Sequence, residues 1–479
     1  MRARLFGKME DMWNRESFVF LGGHGSARQI LITEFEELDF DHFSRSTIEE
    51  FIEYPLRLSQ RFEYGKSAQE SSSLEKTDEK ALSEKAPSEA ARNLEGAIFG
   101  LTSYDQSAGF FESSPSSQSS QSSQSMQLTG SSHLRHRIFR AKSGILATGD
   151  NLEYFGPEQK ASPKVFRPTH DLRLDLVPSQ VSPRMMEERQ NQVLRKQEPF
   201  WDEKSAREQY LKTATRVKED IASGAYYQLN LLRFFEVTGL ENEKDLLTLF
   251  WKNASEQSCL FKLHDELVVS FSPERFVDFS PLEKGENGDL RIKTWPIKGT
   301  RPRGGSEKDD ERLRAELAAS VKDNAELNMI VDLMRNDLRR LCRGGSVRVF
   351  QAPSPVSFPT VHHLVAGVEG VFSAKTYWQD FFRCLFPAGS ITGAPKKTVM
   401  EHIARYEKRQ RGRFMANAFL MTRNGRFDSS VLIRTLTKDQ RIGSGKLLYA
   451  AGSGIVHFSD PEEEYEEILT KCRVLSIGK

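Results

Sequence analysis

The chain has 479 residues, with 68 Lys and Arg against 67 Asp and Glu, a formal charge of +1. That balance argues against a whole-molecule binder of nucleic acid or anionic membrane, which carries a clear basic excess, so any charge chemistry is local. The length fits three average domains or one large unit with a smaller companion, and a hydrophobic share of 38% indicates that polar tracts dilute a core-forming sequence.

No run approaches the roughly eighteen apolar residues of a membrane helix, and Met1 to Glu10 lack the apolar stretch of a secretory signal, so a soluble, cytoplasmic protein is expected. Cys259, Cys342, Cys384 and Cys472 lie far apart, which suits plain buried thiols in a reduced compartment. Residues 66–94 and 113–132 are Ser/Glu/Lys- and Ser/Gln-rich tracts that cannot offset the entropy of ordering, and are read as mobile loops. Between them Gly96-Ala-Ile-Phe-Gly-Leu-Thr-Ser-Tyr-Asp105 reads as a buried strand. The texture changes near residue 200, dividing an N-terminal region, 1–195, from a region, 196–479, that should carry the chemistry.

In this second region residues 205–223 read as an amphipathic helix stopped by Gly224, and 225–237 and 266–278 as strands. Residues 309–341 read as helical, with Leu327, Ile330, Val331, Met334 and Leu338 forming one buried stripe. Residues 395–406 and 461–475 are two further predicted helices, while 415–422, 430–437 and 446–451 are predicted strands. The basic run from Arg405 to Arg413, interrupted by Glu407 and lacking an aromatic platform, reads as a solvated helix end or a subunit interface.

Four groups of residues can carry chemistry. Asp323 with Glu326, and Glu464 with Glu467, are pairs three apart on predicted helices, a spacing that projects two carboxylates side by side. Together they would suit a hard cation such as Mg²⁺; the same spacing also describes ordinary solvated helix faces. Glycine-flanked segments Ala451-Gly-Ser-Gly-Ile-Val456 and Ser390-Ile-Thr-Gly-Ala-Pro-Lys-Lys397 can bring backbone N–H groups to an anion or can be tight turns. Asp460, Pro461 and Glu463 mark a helix start, after which Glu464, Glu467 and Lys471 share a face, either a metal-and-ammonium grip or a salt-bridge ladder. Lys298, before Gly299, is a candidate desolvated nucleophile or a lysine that snorkels to water.

Taken together, Phe271-Ser-Pro-Glu-Arg-Phe276, Pro296-Ile-Lys-Gly-Thr300, Ala325-Glu-Leu-Asn-Met-Ile-Val-Asp-Leu-Met-Arg-Asn-Asp337, His363-Leu-Val365, Ser390-Ile-Thr-Gly-Ala-Pro-Lys396, Ile433-Arg-Thr435, Gly452-Ser-Gly-Ile-Val456 and Glu464-Tyr-Glu-Glu467 resemble, in the same order, the motifs of the chorismate-utilising enzymes. The resemblance runs from about residue 203 to 475, and it makes 196–479 the chorismate-binding catalytic domain and 1–195 a degenerate version of that family's first region. It implies an α+β fold of two large, mostly antiparallel β-sheets packed as a sandwich with outer helices.

By the same resemblance Glu326 and Glu467, supported by Asp323 and Glu464, hold Mg²⁺. Arg434, Lys471 and the backbone of Gly452, Ser453 and Gly454 grip the carboxylates of chorismate, and Gly299, Thr300, Thr392, Phe414 and Gln228 line the pocket. Gln228 stands where isochorismate and salicylate synthases carry a water-activating lysine, and Lys298 where anthranilate synthases usually carry alanine. That combination points to the aminodeoxychorismate branch, with Lys298 as nucleophile, Glu274 as general acid and His363 assisting, on the way to 4-aminobenzoate and folate. No segment resembles a glutamine amidotransferase, so ammonia is expected from a partner glutaminase. The remaining readings are anthranilate synthase component I and a catalytically weak chorismate- or tryptophan-binding regulatory subunit. The latter is suggested by departures such as Phe414 in place of a substrate-contacting tyrosine.

Overall fold

The computed structural model of the chain describes residues 17–22, 28–38, 45–51, 97–104, 137–148 and 151–155, together with Phe43 and Leu94. It also describes 203–475 apart from 238–239, 241–242, 283–287, 359–360 and 440–445. The Ser/Glu/Lys- and Ser/Gln-rich tracts and the boundary near residue 195 lie outside the described residues, save Leu94, which is buried. None of the described helices is long and apolar enough to cross a membrane.

Five strands come first: β1 (Phe18–Leu21), β2 (Arg28–Leu38), β3 (Ile98–Leu101), β4 (Arg137–Thr148) and β5 (Asn151–Phe155). Helix α1 (Glu203–Ala222) then leads to β6 (Gln228–Val237), and α2 (Glu243–Asn253) to β7 (Cys259–Lys262), β8 (Glu266–Ser270), β9 (Arg275–Pro281), β10 (Asp289–Thr294) and β11 (Ile297–Pro302). Helices α3 (Glu307–Ala319) and α4 (Val321–Leu341) precede β12 (Arg348–Ser357), β13 (Val361–Ser373) and α5 (Trp378–Leu385). The last third holds β14 (Gly393–Ala394), α6 (Lys396–Glu407), β15 (Asn417–Met421), β16 (Phe427–Val431), β17 (Thr435–Asp439), β18 (Leu447–Ile455) and α7 (Pro461–Lys471).

All the pairings are antiparallel, and they trace two large sheets that share β4. One runs β14–β6–β18–β17–β8–β7–β1–β2–β4–β5. The other leaves the opposite edge of β4 at residues 137–140 and runs β3–β15–β16–β9–β10–β13, with β11 and β12 also on β13. The first sheet is buried on both faces, and its sequence shows it by strict alternation. Val19, Cys259, Phe261 and Val268 enter the cluster shared with Phe99, Phe279, Phe372 and Phe427 of the second sheet. Their neighbours Phe20, Leu260, Leu267 and Val269 instead meet Ala214 and Val217 of α1, Phe250 of α2, Val399 of α6 and Ile468 of α7.

The sequence elements hold with informative differences. The expected strand 266–278 is two, β8 and β9, because residues 271–274 leave the ladder, and 430–437 is likewise split between β16 and β17. The single helix expected over 309–341 is broken at Ser320, which caps the end of α3 and the start of α4, its side chain accepting from the Asp323 amide. The buried stripe of α4 contains all five expected residues.

The basic run at 405–413 overturns its reading as a solvated helix end. Arg405 and Lys408 are exposed, but the side chains of Arg411 and Arg413 are each 1% exposed. Arg411 pairs with Glu407 at 2.6 Å and donates to the carbonyls of Ile391 and Asn230; Arg413 pairs with Glu266 at 2.6 Å and donates to Thr102. A guanidinium can be buried when all of its donors find acceptors. Arg411→Met leaves Glu407 as an uncompensated buried charge and is expected to destabilise the fold by about 3–5 kcal/mol in chemical denaturation. The double variant with Glu407→Gln should recover much of that loss.

Candidate active site

The site is built where β6 and β18 meet β11 across the open end of the sandwich. β6 and β18 pair over nine positions, with Gly454 opposite Asn230 and Gly452 opposite Leu232. A Cβ on Gly454 would stand 2.7 Å from Gln228 Nε2 and 3.6 Å from Lys298 Nζ, so the glycine leaves room for both side chains. On Gly452 it would meet Leu232 at 2.5 Å and Asn230 Oδ1 at 2.7 Å. Gln228 is 1% exposed, yet among the described residues neither of its amide atoms has a hydrogen-bond partner, and Asn230 Oδ1 is likewise unsatisfied. Leaving such a group unpaired costs about 1–3 kcal/mol, so the pocket carries open hydrogen-bonding capacity beside Lys298.

Lys298 lies on β11, where the register with β13 shifts between Lys298 and Thr300. Gly299 takes the bulge with φ +74°, and a Cβ there would strike the Asp323 carboxyl at 2.8 Å, so only glycine lets β11 approach the first turn of α4. His363 on β13 places Nδ1 3.0 Å from Thr300 Oγ1 and 3.3 Å from the Gly299 carbonyl. Burial, with Arg434 nearby, holds His363 below the usual imidazole range against the pull of the Gly299 carbonyl. A neutral ring with its proton on Nδ1 leaves Nε2 as an acceptor.

Glu274 sits in the break between β8 and β9, where its carboxylate accepts from Ser390 Oγ at 2.9 Å. Burial raises its pKa, opposed by Ser390 and by the positive charges of Lys298, Lys471 and Arg434. The strong ion pair of this region belongs to its neighbour Arg275, which binds Asp428 through two nitrogens. Arg434 occupies a left-handed turn, φ 49°, before β17. Lys471, on α7, donates to the Gly452 carbonyl at 2.7 Å and pairs with Glu467 at 2.6 Å. Ser453 Oγ lies 2.7 Å from the hydroxyl of the buried Tyr210 of α1. Helix α7 starts as expected, Asp460 accepting from the amides of Glu462 and Glu463 with Pro461 at its first position.

Of the four carboxylates, Asp323 and Glu464 lie in the field of Glu326, while Glu467 pairs with Lys471. Burial raises the pKa of Glu326, opposed by Lys298 and Lys322 and reinforced by Asp323 and Glu464. Asp323 pairs with Arg301 at 3.3 Å. Among the described residues, no three His, Cys, Asp or Glu side chains are gathered into a closed metal cluster. Thr392 and Phe414 have their side chains committed to the scaffold. The Thr392 hydroxyl donates to the Ala388 carbonyl at 2.9 Å, and Phe414 packs edge-on against Phe234 in the core.

Sequence reasoning left out Ser390, Tyr210, Asn230 and Arg301 as site residues. Ser390 stood inside a quoted motif and Asn230 two residues from Gln228 on the same strand face, so both had a local signal. Arg301 directly follows the Pro296–Thr300 motif, whereas Tyr210 had no such signal, because its contact with Ser453 is tertiary.

Residues 43–476 match the family described as chorismate binding enzyme. The chain belongs to that family. The chain is 38% identical over 272 residues to aminodeoxychorismate synthase component 1 of Escherichia coli K12, covering 57% of each chain. Over 267 residues it is 36% identical to anthranilate synthase component 1 of Haloferax volcanii, 56% of this chain and 49% of that one. It thus spans about 57% of the length of the first of these curated relatives. Among solved structures, anthranilate synthase component I from Streptococcus pneumoniae superposes with a TM-score of 0.59 at 20% identity, covering 96% of this chain and 90% of that one. The menaquinone-specific isochorismate synthase of Escherichia coli gives 0.59 at 14% identity, with 97% and 90% covered. These establish the fold as the expected α+β sandwich.

The raised pKa of Glu274 has a thermodynamic sign. A carboxyl whose folded pKa lies above its unfolded value adds stability that is fully present below the unfolded pKa and is lost as pH rises through the folded one. Glu274→Gln should therefore melt close to the parent below the ordinary carboxyl range and increasingly above it as pH rises beyond that range; thermal denaturation across pH checks this. A gap that is flat with pH would show the carboxyl to be ordinary.

Proposed function

We propose that this chain is the chorismate-aminating component of an aminodeoxychorismate synthase, converting chorismate and ammonia to 4-amino-4-deoxychorismate for 4-aminobenzoate and folate synthesis. The observation that carries the reading is the meeting of Gln228 and Lys298 over Gly454. An amide that cannot act as a general base stands where a water-activating group would be needed, and a primary amine stands beside it. The similarity to aminodeoxychorismate synthase component 1 supports the same branch.

Chorismate enters with its carboxylates toward Lys471, Arg434 and the Gly452–Gly454 backbone, where a guanidinium offers two parallel hydrogen bonds. Lys298, as the free amine, adds at C2 while the C4 hydroxyl departs. Glu274, whose hold on a proton is strengthened by burial, supplies the proton that lets the hydroxyl leave as water. Ammonia then attacks C4 and the C2–N bond breaks, returning Lys298 as an amine. His363, neutral with Nε2 free, orients the leaving hydroxyl or takes up a proton. The unsatisfied Gln228 amide offers hydrogen bonds to the incoming substrate or ammonia and brings no base that would activate water.

The carboxylates suit Mg²⁺. Glu326 lies in the field of Asp323 and Glu464, and oxygen donors that repel one another favour a hard cation. Glu326 and Glu467 would hold it with Asp323 and Glu464 in support, and when bound it supplies charge neutralisation for a substrate carboxylate. The partner is a glutamine amidotransferase subunit that delivers ammonia, and the four free cysteines suit the reducing cytoplasm.

Chorismate, Mg²⁺ and ammonium incubated with the full chain should give 4-aminobenzoate only when an aminodeoxychorismate lyase is added. Fluorescent anthranilate without lyase would overturn the reading in favour of an anthranilate synthase. Quenching with chorismate and no ammonia should leave a mass adduct on Lys298. Lys298→Ala should lower turnover by roughly 10²-fold or more, the scale of losing a nucleophile.

A further inference from the structure

On the side of the first sheet away from β11, α1 and α6 lie together and enclose a cleft of about 430 Å³. Gln209, Lys212, Thr213, Arg216 and Asp220 recur at helical spacing, so they form one face of α1. Arg405 of α6 and Lys408 just beyond it face them across the cleft. Four cations thus line one concavity in a chain whose total charge is only +1. None of the four makes an ion pair with a described residue.

The one carboxylate present, Asp220, offsets only one of the four charges. Asp220 accepts from the hydroxyl of Tyr406 at 2.6 Å and from that of Tyr226 at 3.1 Å. Burial and then Asp220 keep the Tyr226 phenol protonated, so it remains a donor to that carboxylate. The Nε2 of His402 lies 3.7 Å from the same oxygen. Like charges held together on two rigid helices repel, and a counter-charge in the cleft relieves that repulsion. The volume lies within the range of small-molecule sites. Guanidinium and ammonium groups flanked by the neutral donors Gln209 and Thr213 suit an oxyanion bearing several oxygens.

We propose that this cleft is a second ligand site, separate from the chorismate pocket, that binds a small multivalent oxyanion of the pyrophosphate or phosphate-ester class. The inference does not depend on the proposed reaction.

Calorimetric titration of the full chain with inorganic pyrophosphate at low ionic strength tests it. Saturable binding is expected, weakening as salt is raised. Arg216→Gln/Arg405→Gln should weaken it roughly tenfold or more, since two charge-assisted contacts are lost. Both positions are exposed, so the variant should melt like the parent. Lys308→Gln, an exposed cation on α3, should leave binding unchanged. Equal affinity in the double variant, or no saturable binding, overturns the proposal. Binding lost in Lys471→Ala but kept in the double variant would assign the anion to the chorismate pocket, and polyglutamate binding without pyrophosphate binding would make the cleft a protein-docking surface; either result also overturns it.

Discussion

The buried guanidinium of Arg411 is the constraint on which the site's geometry rests. It ties Glu407 at the end of α6, the carbonyl of Ile391 beside Thr392, and the carbonyl of Asn230 on β6. Glu407 in turn accepts from the Leu232 amide, and Arg411 stacks over the Tyr104 ring from the N-terminal region at 4.6 Å. One cation therefore sets the distance between β6, which bears Gln228, and the segment that bears Ser390 and Thr392. Arg413 repeats the device two residues later, joining β8 to the backbone after β3. Such pairs are poor sources of net stability, but they penalise alternative packings, because any other arrangement strands a charge in the core.

Around that frame the pocket combines two kinds of tension. Glu274 and Glu326 are both raised by burial while cations pull the other way. Gln228 and Asn230 keep unsatisfied polar atoms in a place from which water is nearly excluded. Under the proposed reaction, a dianionic substrate with a divalent cation would relieve both, meeting the cations and the carboxylate field and giving the amides hydrogen-bond partners.

Much of this was legible in the sequence. Alternating apolar runs gave the strands, three-and-four spacing gave the α4 stripe, and Asp460-Pro461 gave the start of α7. The glycines around Ser453 and at Gly299 carry their own explanation, because each is a place where another side chain occupies the Cβ position. What pattern reading missed was tertiary. Ser320 as a shared cap looks like one more helical residue, and Arg411 and Arg413 look solvated until their acceptors, residues 391, 230 and 266, are brought to them. Thr392 and Phe414 belong to matching motifs, yet the structure turns their side chains to scaffold duties. Motif position alone does not tell which way a side chain points.

Sharing β4 between the two sheets has a consequence for chain entropy. β3 is bounded by the connections 39–97 and 102–136, and the two low-complexity tracts fall one in each. Closing a loop costs free energy that grows only with the logarithm of its length, about 0.6 kcal/mol per doubling. Because β3 and β4 are fixed by their own ladders to β15 and β2, lengthening either connection hardly changes the energetics of the sandwich. The two low-complexity tracts thus fall where the topology makes added chain length nearly free.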